Sequence, residues 1–472
     1  MQTPERELKL EAPESFALPE LPGQPLESRL FTSTYYDTPE GRLARSGITL
    51  RRRVEDGTSR WQLKLPRDDY RLEIEARGGR ATVPPAFREA LAGATRGAEL
   101  QPVATLRTWR EGIRAEDGTA LADVVLDVVE VLEGRRVVGG FRELEIELVA
   151  GEPAALRALG KTLRRAGAAK SDGRSKLLRT LGVAQPVAPA PDAPAAEHLR
   201  AFLQRQLVAL LSHDAGVRLD GPPEEVHQMR VASRRLRAAL RAASPIVLES
   251  WADPLRAELG WLGSELGSVR DLDVLAERFR KQAADLGEED CEAFDPLLAA
   301  LEEERATRAA ALGEALRSSR YHDLVAMLEA AAADPQILDA ERPAAELARP
   351  PFRRLRKALG RLGPESTDDE LHRARILAKR ARYAAELAQP SAGKAAAAFI
   401  REAKAFQDLL GEHQDSTVAE ERLRDLAARA DPAGAFAAGR LVERQRLAKE
   451  RARAGLPAAA RRLERAGAKT WL

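Results

Sequence analysis

The sequence predicts an α+β multidomain protein in which a strand-rich first half precedes an all-α second half. Three observations carry this prediction. In segments of the first half, up to residue 182, apolar and charged residues alternate with a two-residue period, and after residue 197 Ala, Leu, Arg and Glu recur at helical spacing. The third is the proline-rich segment 183–196, which we expect to be an extended linker because proline fixes φ and donates no N–H. The 472 residues therefore divide into domains 1–182 and 197–472.

Composition and charge exclude several classes of protein. The net charge is only +2, from 75 basic and 73 acidic residues, which disfavours a globally basic nucleic-acid binder. The single cysteine, Cys291, excludes a disulfide framework and a zinc site built from several thiolates. The first ten residues contain no apolar signal region, and no run of 18 apolar residues follows, so we expect a soluble, cytoplasmic protein without membrane association.

Five segments of the first half have the alternation of β-strands. They are residues 5–10, 61–65, 71–75, 124–131 and 143–148. In a strand, residues two apart point the same way, so Glu5, Glu7 and Lys9 share one face while Leu8 and Leu10 share the other. The charged faces are either solvated or, if helices cover the apolar faces, they line an interior.

An interior lined by both carboxylates and guanidinium groups suits a polyanion that is bound together with a hard divalent metal ion. Mg²⁺ and Mn²⁺ prefer carboxylate oxygens, and arginine binds phosphate through its bidentate fork. The first half contains no histidine, no cysteine and no G-x-x-x-x-G-K-[ST] loop, so zinc hydrolase, phosphohistidine and P-loop chemistry are unsupported there. Metal-activated attack of water on a phosphoryl group is the chemistry that remains.

The first half resembles the CYTH domain, the family of triphosphate tunnel metalloenzymes. The resemblance begins at Glu5-x-Glu7-x-Lys9 and ends at Glu143-x-Glu145-x-Glu147 and Ser175-Lys176. Between these it includes Tyr35-Tyr36-Asp37-Thr38-Pro39, Arg51-Arg52-Arg53, Lys64, Arg71-x-Glu73-x-Glu75, Arg107 and Asp127. It implies an eight-stranded antiparallel β-barrel whose tunnel holds a triphosphate.

The same resemblance implies the roles of the site residues. The catalytic set is Glu5, Glu7, Lys9 and Lys64. The substrate-binding set is Arg51, Arg53, Glu73, Glu75, Arg107 and Lys176. The metal ligands, for Mg²⁺ or Mn²⁺, are drawn from Glu5, Glu7, Asp127, Glu143, Glu145 and Glu147. Which two of the last three glutamates bind the metal stays open.

The second half contains an internal duplication. Its helical segments include residues 226–242, 371–387 and 395–427, and the pattern H-x-x-R-x-x-x-[RK]-R-x-R begins at His227 and again at His372, 145 residues later. At about 100° per residue, the cationic side chains of each copy form a stripe about 80° wide. The first basic stripe consists of His227, Arg230, Arg234, Arg237 and Arg241, and the second of His372, Arg375, Lys379 and Arg382. Each stripe is either a solvated face or a binding surface for a polyanion.

The duplicated stripes resemble the CHAD domain, a conserved-histidine α-helical domain. This resemblance also includes the turns at Arg270-Asp271 and Gln414-Asp415. It implies two tandem four-helix bundles that bind long-chain polyphosphate through the stripes. Because the stripes contain no aromatic residues on which bases could stack, sequence-specific nucleic-acid binding is not expected.

Three functions compete at this point. The leading one is a metal-dependent inorganic triphosphatase with a polyphosphate-binding helical domain. The second is a non-catalytic protein that binds or targets polyphosphate. The third is a class IV-type adenylyl cyclase, which would need a purine pocket that no motif in the sequence marks.

Overall fold

The structure, a computed structural model, describes residues 2–79, 81–116, 120–183, 187–363 and 365–472. Its residues cluster into two compact units, Met1–Pro186 with Leu211–Asp220, and Val187–Leu210 with Gly221–Leu472. Part of the predicted linker, residues 184–186, lies outside the described residues; residues 187–194 contain no helix or strand. Across the described ranges, no helix combines the length and the apolar character that a membrane crossing requires.

The first unit is built on one antiparallel sheet. Its described strands are β1 (Gln2–Glu5), β2 (Glu7–Glu11), β3 (Gly23–Asp37), β4 (Thr49–Glu55), β5 (Thr58–Pro66), β6 (Arg71–Arg77), β7 (Gln101–Glu116), β8 (Leu121–Glu133), β9 (Arg136–Ala150) and β10 (Ala169–Lys170). Its helices are α1 (Arg42–Arg45), α2 (Pro85–Ala90), α3 (Ala92–Thr95), α4 (Ala154–Arg165) and α5 (Lys176–Thr180). Four of the five predicted strand segments each fall within one of these strands; the fifth, residues 5–10, is divided between β1 and β2 at Arg6.

The sheet differs from the expected closed eight-stranded barrel. The described strands number ten, and their hydrogen-bonded order is open: β1-β6-β5-β4-β3-β7-β8-β9-β2-β10. One reason lies at the start of the chain, where Arg6 divides one extended segment in two. Its first part, β1, pairs with β6, and its second part, β2, pairs with β9. The other extra strand is the two-residue β10, which pairs with β2.

Helix α4 covers the apolar face of the strands that carry the glutamates. Leu10, Leu144 and Ile146 are buried in one core with Leu156 and Leu163 of α4. Gly160 permits this close approach, because a Cβ atom there would lie 2.4 Å from Leu8 Cδ2. With their apolar faces under a helix, these strands turn their charged faces inward.

The second unit is helical. Its described helices are α6 (Ala195–Arg218), which extends into the segment grouped with the first unit, α7 (Pro223–Ala242), α8 (Glu249–Ala283), α9 (Glu288–Arg317), α10 (Ser319–Ala333), α11 (Ala344–Leu359), α12 (Asp368–Ala427) and α13 (Pro432–Trp471). Helix α12 is interrupted at Gly393, whose φ of 57° and ψ of −136° are not helical and favour glycine. The two segments of α12 thus repeat the pair α7 and α8, since each pair carries one copy of both duplicated motifs.

The copies are held together by apolar contacts. Leu272 and Phe279 of α8 share one core with Phe294 of α9, Leu423 of α12 and Leu441 of α13. A second aromatic contact joins α11, α12 and α13 through Phe352, Phe399 and Trp471, whose rings meet edge to face. This packing sets the positions of the basic helices α7 and α12, which contact each other.

Candidate functional site

The first unit encloses a charged cavity of about 260 Å³. Charged side chains on the inner faces of the strands form most of its wall. The acidic residues that line it are Glu5, Glu7, Glu73, Glu75, Glu145 and Glu147. The basic residues are Lys9, Arg51, Arg53, Lys64, Arg71, Arg110 and Lys176. The structure therefore brings together eleven of the fourteen residues that the sequence places in the tunnel site.

Strand register explains how opposite charges come to face each other. Glu7 lies opposite Glu147 and Lys9 opposite Glu145 on paired strands β2 and β9. Directly opposite residues have Cβ atoms about 4.5–5.5 Å apart, so their side chains interact across the ladder. Lys9 Nζ accordingly donates to Glu145 Oε1 at 2.6 Å.

One end of the cavity carries more carboxylates than its cations balance. Lys64 Nζ donates to Glu5 Oε1 at 2.5 Å and lies 3.2 Å from Glu73 Oε2. Glu5 Oε2 is buried and has no hydrogen-bond partner among the described residues. Burial, followed by the charges of Glu5, Glu145 and Glu73, raises the pKa of Glu147 to about 7 despite the opposing effect of Lys64.

This end of the cavity has the donor set that a divalent ion needs. Glu5, Glu7 and Glu147 supply hard oxygen ligands, and one oxygen of Glu5 is left without a partner. Mg²⁺ and Mn²⁺ prefer such ligands, and a cation there would relieve the repulsion that raises the pKa of Glu147. The chemistry of these residues suits a hard divalent ion, although among the described residues their oxygen atoms are not gathered within 4.8 Å as those of Asp127, Glu143 and Glu145 are.

A second acidic cluster lies beside the first but is balanced by cations. Oxygen atoms of Asp127, Glu143 and Glu145 lie within 4.8 Å of one another and could also hold a divalent ion. Lys176 Nζ contacts all three carboxylates, at 2.9 Å for Asp127 Oδ2 and 2.7 Å for Glu145 Oε1. Burial alone would raise the pKa of Asp127, but Lys176 and Arg110 hold it below its usual range. A metal ion here would have to displace Lys176.

The two clusters bear on the open choice among the three glutamates of β9. Glu145 and Glu147 line the cavity, whereas Glu143 and Asp127 lie behind its wall, buried against Lys176. Of the two that face the cavity, Glu145 is already bonded to Lys9, Lys176 and Arg110.

Positive charge dominates another part of the wall. Arg51 is fixed by Gln62, whose Oε1 accepts from Arg51 Nε at 2.7 Å, and by Tyr35. The guanidinium carbon of Arg53 lies 3.5 Å from the centre of the Phe31 ring, a cation–π contact. Burial and the charges of Arg51 and Arg110 lower the pKa of Arg53 to about 10, although Glu55 opposes this. Such a surface favours an anion.

Arg110 is the main site residue that the sequence reasoning missed. It lines the cavity and donates to Asp127 Oδ1 and Oδ2 at 2.7 and 2.6 Å. Arg107, which was expected in its place, is 44% exposed and donates to Glu130 Oε2 at 2.6 Å. The two-residue period places Arg110 on the face of Leu106 and Thr108 and Arg107 on the face of Trp109. The period does not say which face is buried; in the structure Leu106 and Thr108 are buried and Trp109 is exposed.

The second unit contains a larger basic cavity of about 530 Å³. Side chains of helices α7, α8, α11 and α12 line it. Its cationic residues are Arg234, Arg237, Arg241, Arg256, Arg354, Lys379 and Arg380. Four of these belong to the basic stripes that the sequence predicts, so parts of both stripes face one space.

The remaining stripe residues lie outside the lining of this cavity. Arg230 pairs with Asp271 at 2.8 Å, and Arg382 with Glu386 at 3.3 Å. His227, His372 and Arg375 are also absent from the lining. Each basic stripe therefore has some residues that line the cavity and some that do not, and two of the latter, Arg230 and Arg382, form ion pairs.

Contacts with glycine repeat between the two copies. A Cβ atom at Gly267 would lie 3.3 Å from Arg230 Nη2, and one at Gly411 would lie 3.8 Å from Arg375 Nη2. Each arginine therefore lies along a neighbouring helical segment at a position without a side chain. These equivalent pairs agree with the duplication in the sequence.

The positive potential of the cavity affects its lysine. Burial, then the charges of Arg375, Arg234 and Arg230, lower the pKa of Lys379 to about 8. Burial and the charge of Arg270 likewise lower the pKa of His227. An approaching polyanion would favour the charged form of Lys379.

Comparisons with known proteins find a family match in each half of the chain. Protein-family models match the CYTH domain at residues 3–181 and the CHAD domain at residues 201–424. An uncharacterized protein of Mycobacterium tuberculosis is 33% identical over 476 aligned positions, which cover 92% of this chain and 90% of the relative. Among solved structures, the CHAD domain of the plant Ricinus communis is 30% identical, with a TM-score of 0.47, over 59% of this chain and 95% of that one. PptA from Streptomyces chartreusis is 23% identical, with a TM-score of 0.49, over 57% and 100%.

Proposed function

The chain belongs to the family that joins a CYTH domain to a CHAD domain, and on that premise we propose that its first half is a divalent-metal-dependent triphosphatase acting on inorganic tripolyphosphate. One observation carries the proposal: the same cavity contains a set of glutamates and a set of arginines, and neighbouring opposite charges neutralise each set only in part. A metal–triphosphate complex has the complementary charges, because the metal ion binds carboxylates and the phosphate oxygens accept hydrogen bonds from arginine.

In this proposal the arginines of the cavity bind the phosphate chain and the glutamates bind the metal ion. Arg51, Arg53 and Arg110 would bind the phosphate chain, with Gln62 and Phe31 holding two of them in place. Glu5, Glu7 and Glu147 would hold Mg²⁺ or Mn²⁺, and Lys64 would orient Glu5. When bound, the ion would supply charge neutralisation and the activation of water for attack on phosphorus.

The experiment is a phosphate-release assay on the full chain. Tripolyphosphate, ATP and long-chain polyphosphate are each supplied with Mg²⁺ or Mn²⁺. We expect release mainly from tripolyphosphate, and none when the metal is removed by a chelator. Binding of tripolyphosphate without turnover would leave a non-catalytic binding protein, whereas pyrophosphate and cyclic AMP as products of ATP would identify a cyclase.

We propose further that the second half binds long-chain polyphosphate in its basic cavity. Seven cationic side chains line this space, and burial together with the charges of neighbouring arginines lowers the pKa of Lys379. A linear polyanion releases counterions when it binds such a surface, so affinity should fall steeply as salt rises. The binding would deliver, tether or sense polyphosphate.

A charge-reversal variant tests this second proposal. Arg234→Glu with Lys379→Glu should remove most long-chain binding, measured by titration at two salt concentrations, while tripolyphosphate hydrolysis in the first unit continues. Equal affinities of the wild type and the variant would mean that the stripes are only solvated faces.

A further inference from the structure

Five arginines from four helices line the basic cavity, and four of them lie near enough to the fifth, Arg241, to lower its pKa. They are Arg237 and Arg241 of α7, Arg256 of α8, Arg354 of α11 and Arg380 of α12, and together we call them the arginine cluster. Three of them, Arg256, Arg354 and Arg380, lie outside both basic stripes. Arg256 and Arg354 also lie outside the duplicated motif, so the motif alone does not produce the cluster.

The arginine cluster has little compensating negative charge. Arg256 donates to Asp253 Oδ1 at 2.5 Å. Among the described residues, none of the other four members forms an ion pair with a carboxylate, and Glu249 is the acidic side chain that shares their cavity. Burial, then the charges of Arg380, Arg256, Arg237 and Arg354, lower the pKa of Arg241. Like charges held this close repel, so a bound anion would stabilise the arrangement.

The surroundings of Lys379 are arranged differently. The positive charges that lower the pKa of Lys379 are those of Arg375, Arg234, Arg230 and Arg382, all members of the basic stripes. Stripe residues follow each other along a helix at intervals of about 4.5–6 Å, which suits internal phosphates that carry one charge each. The arginine cluster instead concentrates its charges from four helices at one place.

The group of a polyphosphate chain that carries more than one charge is its terminal phosphate. A terminal phosphate has a second ionisation with a pKa of about 6, so it is largely a dianion at neutral pH. Arginine binds such a group through paired N–H donors, and several arginines can share its three outer oxygens. Charge and donor geometry both match the arginine cluster.

We propose that the arginine cluster binds the terminal phosphate dianion of a polyphosphate chain, so that the second half holds the chain by its end as well as along its length. This inference rests on the proposed polyphosphate binding of that half and adds a specificity for chain ends.

The test compares two polyphosphate preparations of equal length on the full chain. One has free ends; in the other, both terminal phosphates are converted to phosphoramidates, which removes the second ionisation and leaves the internal phosphates unchanged. We expect the wild type to bind the free-ended chain about tenfold more tightly, the size of effect that one or two charge-assisted hydrogen bonds produce. Pyrophosphate, which has two terminal phosphates, should compete with the free-ended chain better than cyclic trimetaphosphate, which has none.

Substitutions within the arginine cluster test whether it causes the preference for free-ended chains. Arg256→Gln with Arg354→Gln removes two cations of the basic cavity, so the affinity for both preparations should fall, but the roughly tenfold preference for the free-ended chain should disappear. The matched control, Lys281→Gln with Arg308→Gln, removes the same charge from exposed positions on α8 and α9 and should keep the preference. Lys281 lies 25 residues beyond Arg256 on α8, about 37 Å along the helix axis.

Two results would overturn the inference: a wild type that binds both preparations equally, or a cluster variant that keeps the preference for free ends. A wild type that binds neither preparation would instead refute polyphosphate binding by the second half, and chain-end recognition with it. The outcomes therefore separate failure of chain-end recognition from failure of the proposed function.

Discussion

Arg110 and Arg107 are three positions apart on one strand, and they provide a matched test of which side chains face the substrate. Arg110→Lys keeps a positive charge but loses the fork that binds two oxygens at once. We expect the KM for tripolyphosphate to rise about tenfold, the effect of losing one charge-assisted hydrogen bond. Arg107→Lys, on the exposed face beside Glu130, should leave the KM unchanged. The reverse order of effects would mean that β7 presents its other face to the cavity.

The carboxylates of Glu5 and Glu7 are proposed to hold the metal ion. Glu5→Gln or Glu7→Gln keeps the shape of the side chain but removes one anionic ligand, so metal-dependent hydrolysis should fall at least a hundredfold while the sheet stays folded. The measurements are turnover across a range of Mn²⁺ concentrations and direct Mn²⁺ binding. Glu130→Gln, an exposed residue beside Arg107, is the control. Wild-type turnover of either variant at limiting metal would refute the assignment.

The lowered pKa of Lys379 predicts that the proposed binding of polyphosphate depends on pH. The pKa of this lysine is lowered to about 8, so the free protein loses this charge as the pH rises through 8, and a bound polyanion restores it. Affinity should therefore increase about tenfold as the pH falls from 9 to 7, the range over which a group of this pKa gains its proton. In Lys379→Arg the side chain stays charged, so this dependence should disappear. A wild type with the same affinity at both pH values would contradict the lowered pKa.

At the scale of the element, helix α4 keeps the charged face of β2 turned inward. Gly160→Ala would place a Cβ atom 2.4 Å from Leu8 Cδ2, and the helix would have to move away from the strand that carries Glu7 and Lys9. We expect a loss of about 1–3 kcal/mol in the free energy of unfolding, measured by denaturant titration. Gly139→Ala on β9, where a Cβ atom meets no neighbour within 4 Å, is the control. Equal stability of both variants would mean that α4 is not in close contact with β2.

For the whole molecule, the boundary between the units is not a single cut in the sequence. Residues Leu211–Asp220 cluster with the first unit although they follow the linker in the chain. A protease site inserted within residues 187–194 should leave tripolyphosphate hydrolysis intact after cleavage, because the segment is still present. Truncation after residue 182 removes it and should lower the melting temperature of the first unit. A truncated chain as stable as the nicked one would show that the segment contributes nothing to that unit.

Local patterns in the sequence were enough to predict much of this architecture. A two-residue period follows from the pleat of a strand, so Glu5, Glu7 and Lys9 had to share a face, and the helical period likewise aligned Arg234, Arg237 and Arg241. The duplication was visible because both copies keep the same spacing of charged residues. These properties depend on neighbours along one element, which a sequence displays directly.

Only the tertiary structure decided which of these side chains meet. The choice of Arg110 over Arg107 depends on which face of β7 turns inward, and the division of the carboxylates depends on where Lys176, from α5, enters the sheet. Arg256, Arg354 and Arg380 are more than 20 residues apart in the chain and converge only when α8, α11 and α12 pack together. The physical reason is that electrostatic interactions depend on the separation of two charges in space. The number of residues between them in the sequence does not determine that separation.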